Sequence, residues 1–256
     1  MCTLSFVPTD GGFLLAMNRD EQRTRAKALP PQFHRCGSLK AMYPSEPGGG
    51  TWIGINSLGL CAALINWYSR PQYPGDPDFS RGGIIPRLLA CDNREKMEQC
   101  LYSLPLDRLN PFRIFVFGIG SGDIREYRSD GVAARRTDHA WSTNHWFSSG
   151  HNETTATTAR RAACLKASLE SDAGSLGWID RLHSSHDPVA GADSICVHRE
   201  DAVTVSITLI RMDHGGTRME YRDGSPCESL AKGSNSECPK ISQKHLPMTA
   251  QIEKTS

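Results

Sequence analysis

The sequence predicts an α+β fold in which antiparallel sheets are covered on their outer faces by helices. Strand-like segments dominate the beginning, the middle and the end of the chain, and helix-like segments separate them. Short turns rich in glycine join several neighbouring strands, which favours antiparallel pairing. This order of strand-rich and helical regions is typical of sheets and helices that lie in separate layers.

The first predicted element is a hairpin at the start of the chain. Residues 3–7 are β-branched or apolar, residues 8–12 (PTDGG) form a turn signal, and residues 13–17 resume an apolar strand. The turn returns the chain towards its own beginning. We therefore expect Cys2 to lie near Asn18, Arg19 and Asp20.

A second hairpin is predicted from residues 51–56 and 59–66, and its second strand is apolar at almost every position. Such a strand is expected to be covered on both faces. A helix capped by Ser80 then runs to Leu89, and another covers residues 94–104.

Residues 114–119 and 124–127 predict a third pair of strands. Because a strand follows the glycines at 118–122, we interpret them as a hairpin turn and not as a nucleotide-binding loop. Another hairpin ends at residues 139–144, a helix covers 153–169, and strands at 193–198 and 203–211 lead to the end of the fold near Tyr221. We predict one domain, residues 1–222, and a flexible tail, residues 223–256.

The composition argues against several classes of protein. Among 256 residues, 29 Lys and Arg balance 28 Asp and Glu without a dense basic block, so nucleic acid is not an expected partner. No apolar run approaches the roughly 20 residues of a transmembrane segment, and the first 25 residues lack a secretion signal. The nine cysteines include no C-x-x-C pair, which indicates reduced thiols in a cytoplasmic protein and no zinc knuckle or other metal site.

Cys2 follows the initiator methionine, and this position predicts a self-activating nucleophile. Removal of Met1, which is normal before a small side chain, gives Cys2 a free α-amine beside its thiol. An α-amine titrates at about pH 7.7–8.0, close to the optimum for accepting a proton at neutral pH. Asp20 would orient the ammonium group, and Arg19 would favour the thiolate.

Four short motifs occur in order along the chain: MCTL at residues 1–4, AMNRDE at 16–21, GGTWIG at 49–54 and LIN at 64–66. In this order they resemble the NRDE proteins, the transport and Golgi organization 2 family. The resemblance extends to about residue 221. It implies a branch of the N-terminal-nucleophile (Ntn) hydrolases and therefore a four-layer αββα sandwich, with two antiparallel sheets between helix layers.

The same resemblance implies roles for individual residues. Choloylglycine hydrolases and penicillin V acylases, which belong to that superfamily, begin with the same Met-Cys-Thr and cleave amide bonds with the exposed cysteine. By similarity, Cys2 would be the nucleophile and its own amine the base. Asp20 would match their conserved aspartate, and Asn66 their oxyanion-hole asparagine, whose amide contributes about 3–4 kcal/mol to lowering the barrier.

Two further matches and one departure complete the comparison of motifs. Asn144 would match a second conserved asparagine, and Arg160 an arginine that supports the nucleophile, although Arg161 stands next to it. Those hydrolases have an arginine immediately before the Asn-x-Asp pattern. This chain has Met17 there, and its arginine is displaced to Arg19.

The sequence leaves three functions open. The first is an N-terminal-cysteine amidohydrolase or acyltransferase that acts on a small amide or acyl substrate and needs no cofactor. The second, suggested by the wider NRDE family, is a non-catalytic haem or lipid carrier, with Cys2, the Cys238-Pro239 dipeptide and the histidines as candidate haem ligands. The third is a scaffold in which the charged cluster only stabilises a buried N terminus.

Other residues receive ordinary structural interpretations. Trp67 and Trp146 follow the two asparagines and are expected to line the ligand cleft. The pair His183 and His186 is interpreted as a solvated helix end. A separate histidine base is unnecessary beside a terminal amine, and the oligomeric state is not predicted.

Overall fold

The computed structural model describes residues 2–72, 80–231 and 240–241. The helices are α1 (Ile84–Leu89), α2 (Arg94–Tyr102), α3 (Glu153–Ala167), α4 (Leu176–His183) and α5 (Pro226–Ala231). The strands are β1 (Cys2–Thr9), β2 (Gly12–Gln22), β3 (Leu29–Cys36), β4 (Leu39–Ser45), β5 (Ile53–Asn56), β6 (Cys61–Asn66), β7 (Phe112–Phe117), β8 (Asp123–Ser129), β9 (Ala134–Ala140), β10 (Asn144–Ser148), β11 (Ala202–Asp213), β12 (Gly216–Asp223) and β13 (Lys240–Ile241).

The strands form two antiparallel sheets. Sheet A has the order β10-β1-β2-β11-β12-β13, and sheet B has the order β3-β4-β5-β6-β7-β8-β9. One hydrophobic cluster lies between the sheets, a second packs α1 and α2 against sheet B, and a third packs α3 and α4 against sheet A. The structure therefore confirms the predicted four-layer αββα sandwich.

Strand β6 is buried on both faces, as its apolar sequence predicted. Cys61, Ala63 and Ile65 point into the core between the sheets, whereas Ala62 and Leu64 pack under the helices of sheet B. The strand ends at Asn66, which is thereby held at the margin of the inter-sheet core.

The N-terminal hairpin also forms as predicted, and its register brings Cys2 opposite Arg19. Strand β2 continues past the predicted end to Gln22, so the Asn-Arg-Asp motif lies within a strand and not in a loop. The close approach of β11 to β2 requires Gly12, because a Cβ there would lie 1.8 Å from the Met212 carbonyl oxygen. Sheet A thus fixes the start of the chain between β2 and β10.

Several elements differ from the sequence prediction. The hairpin of β3 and β4 was not predicted, and α4 was predicted only as a helix end at His183 and His186, without bounds. Residues 193–198 form no regular strand, and only a single bridge joins His198 to Val203. The predicted hairpin ending at residues 139–144 closes earlier, since β9 ends at Ala140 and Asn144 begins a strand of the other sheet.

The segment predicted as a tail contains the helix α5 and the strand β13, which pairs with β12. Cys238 and Pro239 lie outside the described residues. Within the ranges that the structure describes, no helix has both the length and the apolar character required to span a bilayer.

Candidate active site

A small cavity of about 130 Å³ opens where the start of β1, the end of β6 and the turn before α1 meet. The Cys2 thiol lies on it, and only 8% of this residue is exposed. The other lining side chains are mostly charged or polar, and they include Arg19, Glu21, Glu46, Thr51, Trp52, Asn66 and Arg81. The two sheets therefore bring the N-terminal thiol and the asparagine at the end of β6 to one cavity.

The Cys2 backbone nitrogen donates a hydrogen bond to the Ser148 hydroxyl at 3.1 Å. Ser148 stands opposite Cys2 in the neighbouring strand β10, so the strand register produces this contact. Burial raises the pKa of the Cys2 thiol, and the Asp20 charge raises it further, whereas Arg19 and a hydrogen bond from the Asp20 backbone lower it. Since burial is the largest of these effects, the thiol needs an adjacent base to become a nucleophile.

Asp20 also lines the cavity of Cys2 and is itself buried, with Thr204 and Arg160 beside its carboxyl group. The Thr204 hydroxyl donates to Asp20 Oδ1 at 2.6 Å, and Arg160 Nη1 lies 3.9 Å from Oδ2. Burial raises the pKa of the Asp20 carboxyl, while the Arg160 guanidinium lowers it. Arg160 also donates to the backbone carbonyl of Ser148 at 3.2 Å. This group of side chains thus contacts both strands that flank the start of the chain.

Arg160 and Arg161 occupy different environments. Arg160 is fully buried in α3 and reaches Asp20, whereas Arg161 is exposed. Of the two arginines that the sequence left open, Arg160 is therefore the one positioned against the start of the chain.

Arg19 is held by groups other than the thiol. Its guanidinium donates to Glu21 at 3.1 Å and to Glu46 at 2.7 Å, and it stacks over the Trp52 ring at 4.6 Å. Its charge nevertheless lowers the pKa of the Cys2 thiol. Arg19 thus acts on the thiol through its field while its hydrogen bonds fix the cavity wall.

Asn66 lies on the same cavity as Cys2. Its Nδ2 donates to the Tyr68 hydroxyl at 2.8 Å. A side-chain amide carries two N–H donors. One of them is used by Tyr68.

The structure does not bring Asn144 to this cavity. Asn144 pairs with Phe6, four residues along β1 from Cys2, which places it roughly 13 Å away at about 3.3 Å per residue. Its amide donates to the Ser142 carbonyl at 2.8 Å and to the Ala140 carbonyl at 3.3 Å. The expectation that Asn144 belongs to the active site is therefore corrected, because its amide stabilises the turn before β10 instead.

The two predicted cleft tryptophans also lie elsewhere. Trp67 and Trp146 line a different cavity, next to Arg113 and Glu153, and Trp146 packs against Phe115 at 4.4 Å between ring centres. They do not line the cavity of Cys2.

The interpretation of His183 as part of a solvated helix end was wrong. It is the last residue of α4, but it is fully buried. Its two ring nitrogens lie 2.8 Å from the Ser5 hydroxyl and 2.9 Å from Asn18 Oδ1. Both nitrogens are occupied, so neither is available to a haem iron.

Three residues that contact Cys2, Asp20 or the cavity were not predicted from the sequence. Ser148 contacts Cys2, and Thr204 contacts Asp20. Both contacts arise from the pairing of strands that are far apart in the sequence. Arg81 reaches the cavity from the turn before α1 and is held by the Pro111 carbonyl at 2.9 Å. Burial lowers the pKa of the Arg81 guanidinium. No local motif marks any of the three.

Comparison with known proteins agrees with this architecture. Residues 1–187 match the family model described as Transport and Golgi organisation 2. The chain belongs to this family. No curated protein matches this member of the Transport and Golgi organisation 2 family.

Among solved structures, this family member is similar to the penicillin V acylase from Agrobacterium tumefaciens, with 12% identity and a TM-score of 0.50 over 87% of this chain and 86% of that chain. It is also similar to the C2A mutant of a conjugated bile acid hydrolase from Clostridium perfringens, with 12% identity and a TM-score of 0.49 over 100% of both chains. At such low identity, the similarity to the acylase shows a shared fold, which is the sandwich described above.

Proposed function

We propose that the protein is an N-terminal-cysteine amidohydrolase or acyltransferase that acts on a small amide or acyl substrate. The observation that carries the proposal is the position of Cys2. Its thiol lines a polar cavity together with Asn66, and its backbone nitrogen is held by Ser148. The penicillin V acylase of similar fold has an acylase activity in its name, which supports the same class of reaction here.

Removal of Met1 converts the Cys2 backbone nitrogen into an α-amine. The Ser148 hydroxyl, 3.1 Å away, accepts a hydrogen bond from this amine and orients its lone pair. The amine then takes the proton of the buried thiol, and the resulting thiolate attacks the carbonyl carbon of the substrate. Nucleophile and base thus belong to the same residue.

The attack forms a C–S bond and places negative charge on the carbonyl oxygen. The second N–H of Asn66 stabilises this oxyanion. Collapse of the tetrahedral intermediate breaks the C–N bond, and the α-ammonium returns its proton to the departing amine. An acyl-thioester remains on Cys2, and water or another acceptor releases it.

The cavity indicates the size and polarity of the substrate. Its volume of about 130 Å³ accommodates a small acyl group. The cavity lining carries equal numbers of basic and acidic side chains, namely Arg19, Arg25 and Arg81 against Asp20, Glu21 and Glu46. We infer that the substrate carries a small polar acyl group.

Intact-mass measurement of untagged protein tests the proposal directly. We expect a mass that lacks Met1 and a single adduct after brief treatment with a thiol-reactive acylating probe. The adduct should disappear in Cys2→Ala and persist in Cys100→Ala, whose cysteine lies in α2 away from the cavity. An N-terminal extension should abolish labelling, whereas a C-terminal tag should leave it unchanged.

Retention of Met1, or labelling that does not depend on Cys2, would contradict the hydrolase proposal. The same protein would then be titrated with haem, because a carrier is the alternative that the sequence left open. A positive adduct would justify a screen of small amides with free amine release as the readout.

A further inference from the structure

Four side chains outside the candidate active site converge on one point. The cluster comprises His186 after α4, Cys196 and His198 before β11, and Cys227 in α5. One potential ligand atom from each residue lies within 4.8 Å of those of the other three. We propose that these four residues bind a zinc ion.

The distances between the ligand atoms fit a tetrahedral site. His198 Nε2 lies 3.6 Å from Cys196 Sγ and 3.4 Å from Cys227 Sγ. With Zn–S at about 2.3 Å and Zn–N at about 2.0–2.1 Å, tetrahedral angles require S–N separations of roughly 3.6 Å. The two measured S–N separations therefore already match two edges of such a tetrahedron of ligand atoms.

His186 supplies a second observation. Its Nε2 is buried and has no hydrogen-bond partner, although a buried polar atom without a partner is costly. Its ring centre lies 4.9 Å from that of His198, and the two rings are nearly perpendicular at 83°. A metal ion between the rings would satisfy this nitrogen.

The chemistry of the four groups favours zinc. Two thiolates balance the charge of Zn²⁺, and two neutral imidazoles complete the Cys₂His₂ set found in structural zinc sites. Thiolate ligands disfavour magnesium and calcium, which prefer oxygen. With four protein ligands the coordination shell is closed, so the ion would hold segments together and would not activate water.

The position of the site explains an irregular part of the fold. Ile195, Cys196 and Val197 are fully buried although they form no strand. Zinc would tie this segment to the end of α4 and to α5, which lies beyond residues 1–187 of the family match. Residues from three separate parts of the chain would thus share one ion.

Hydrogen bonds connect the proposed zinc site to the candidate active site. Val197 donates its backbone N–H to the Thr204 hydroxyl at 2.8 Å, and that hydroxyl donates to Asp20 at 2.6 Å. Fixing the segment at Cys196 and His198 therefore fixes Thr204 against Asp20. The zinc proposal itself does not depend on the proposed reaction.

Metal analysis of the purified full-length protein tests the site. After expression with added zinc and removal of free metal, we expect one zinc ion per chain by elemental mass spectrometry. Titration of thiols with an organomercurial should release this zinc, as followed with a chromogenic chelator. Exchange for Co²⁺ should give visible d–d bands of tetrahedral intensity together with a near-ultraviolet charge-transfer band from the thiolates.

Cys227→Ser and His198→Gln should lose at least most of the bound zinc and the cobalt bands, whereas Cys100→Ser should keep both. The zinc content and the cobalt spectrum of the wild-type protein do not depend on any variant, so they test the proposal even if a variant fails to fold. Wild-type protein with no zinc and no tetrahedral cobalt spectrum would overturn the proposal. A metal-free protein lighter by two hydrogens, from a disulfide between Cys196 and Cys227, would overturn it as well.

Discussion

Asn66 presents an amide at the edge of the Cys2 cavity, where the proposed reaction develops negative charge. Replacing an oxyanion donor of this type lowers kcat by about 10²–10³. We therefore expect Asn66→Ala to reduce acyl transfer by that factor with little change in KM. Steady-state kinetics on the amide found by screening would measure the effect.

Asn144→Ala is the matched control, since its amide only caps the turn before β10. We expect its kcat to match the wild type within about twofold, because no lost contact reaches the cavity. Equal losses in the two variants would show that Asn144 also serves the reaction and would contradict its placement in a turn.

Asp20 and Arg160 form a buried pair, and its loss should lower the stability of the fold. Removing one member leaves the other charge buried without its nearest partner, which costs about 3–5 kcal/mol. We expect Arg160→Met to lower the free energy of unfolding by this amount in urea titrations. The exposed neighbour Arg161 offers a control, since Arg161→Met should change the free energy of unfolding by less than about 0.5 kcal/mol.

The double variant Asp20→Asn with Arg160→Met isolates the interaction between the two residues. If both are charged in the folded protein, the double variant should be less destabilised than the sum of the single variants. Strict additivity would mean that the two side chains do not interact as charges in the folded protein.

At the level of elements, a chain of hydrogen bonds joins α4 to strands β1, β2 and β10 of sheet A. Ser5 Oγ lies 2.8 Å from both His145 Nδ1 and His183 Nε2, and His183 Nδ1 lies 2.9 Å from Asn18 Oδ1. Since the Asn18 amide nitrogen already donates to two carbonyls, its Oδ1 must accept from His183 Nδ1–H. His183 Nε2 then accepts from Ser5, and Ser5 accepts from His145 Nδ1–H. Every position is filled when both histidines are neutral.

This network predicts a loss of stability in acid. Burial lowers the pKa of His145 to about 4, and burial together with the charges of His145 and Arg222 lowers the pKa of His183 to about 3. Unfolded histidines titrate at about 6.5, so the unfolded state binds more protons below that pH. The free energy of unfolding should therefore fall as the pH decreases from about 6.5 towards 4, by up to about 1.4 kcal/mol per pH unit for each histidine.

Urea titrations at a series of pH values between about 7 and 4.5 would measure this slope. We expect His183→Gln to be destabilised at neutral pH but to have a shallower slope, whereas the exposed His151→Gln should follow the wild type. An unchanged slope in His183→Gln would assign the acid sensitivity to other groups.

Local signals explain which elements could be predicted from the sequence. The turn PTDGG and the apolar runs around it specified the first hairpin, and its register placed Cys2 beside Arg19 and Asp20. Strands β3 and β4 were missed because their sequence is interrupted by prolines and polar residues, and β3 is largely exposed. Residues 193–198 are apolar enough for a strand, but the backbone amides of Cys196 and His198 donate to the carbonyls of Ser185 and Gly191, which belong to no strand.

Contacts between distant parts of the chain explain what could not be predicted. Ser148 and Thr204 lie 146 and 184 residues from their partners Cys2 and Asp20. The four proposed zinc ligands likewise have no regular spacing, which is why the lack of a C-x-x-C pair predicted no metal site. Only the assembled sheets and the segment before β11 bring these side chains together.

For the whole molecule, the packing of the two sheets determines whether a site exists at all. Cys2 belongs to sheet A and Asn66 to sheet B, so their shared cavity depends on the core between the sheets. Phe6 of β1 stacks on Phe117 of β7 at 5.3 Å between ring centres, and Trp141 packs edge-on against Phe6 at 4.7 Å. These aromatic rings join the two layers directly.

Phe117→Ala should therefore weaken the attachment of one sheet to the other. Truncation of a fully buried phenylalanine removes its burial energy and leaves a cavity, which together cost about 3–5 kcal/mol. We expect that loss in urea unfolding, and we expect Phe117→Leu to lose less because it keeps more of the buried volume. Phe33→Ala, in the edge strand β3 and 48% exposed, should lose far less. An equal loss in Phe33→Ala and Phe117→Ala would contradict a fold stabilised mainly between the sheets.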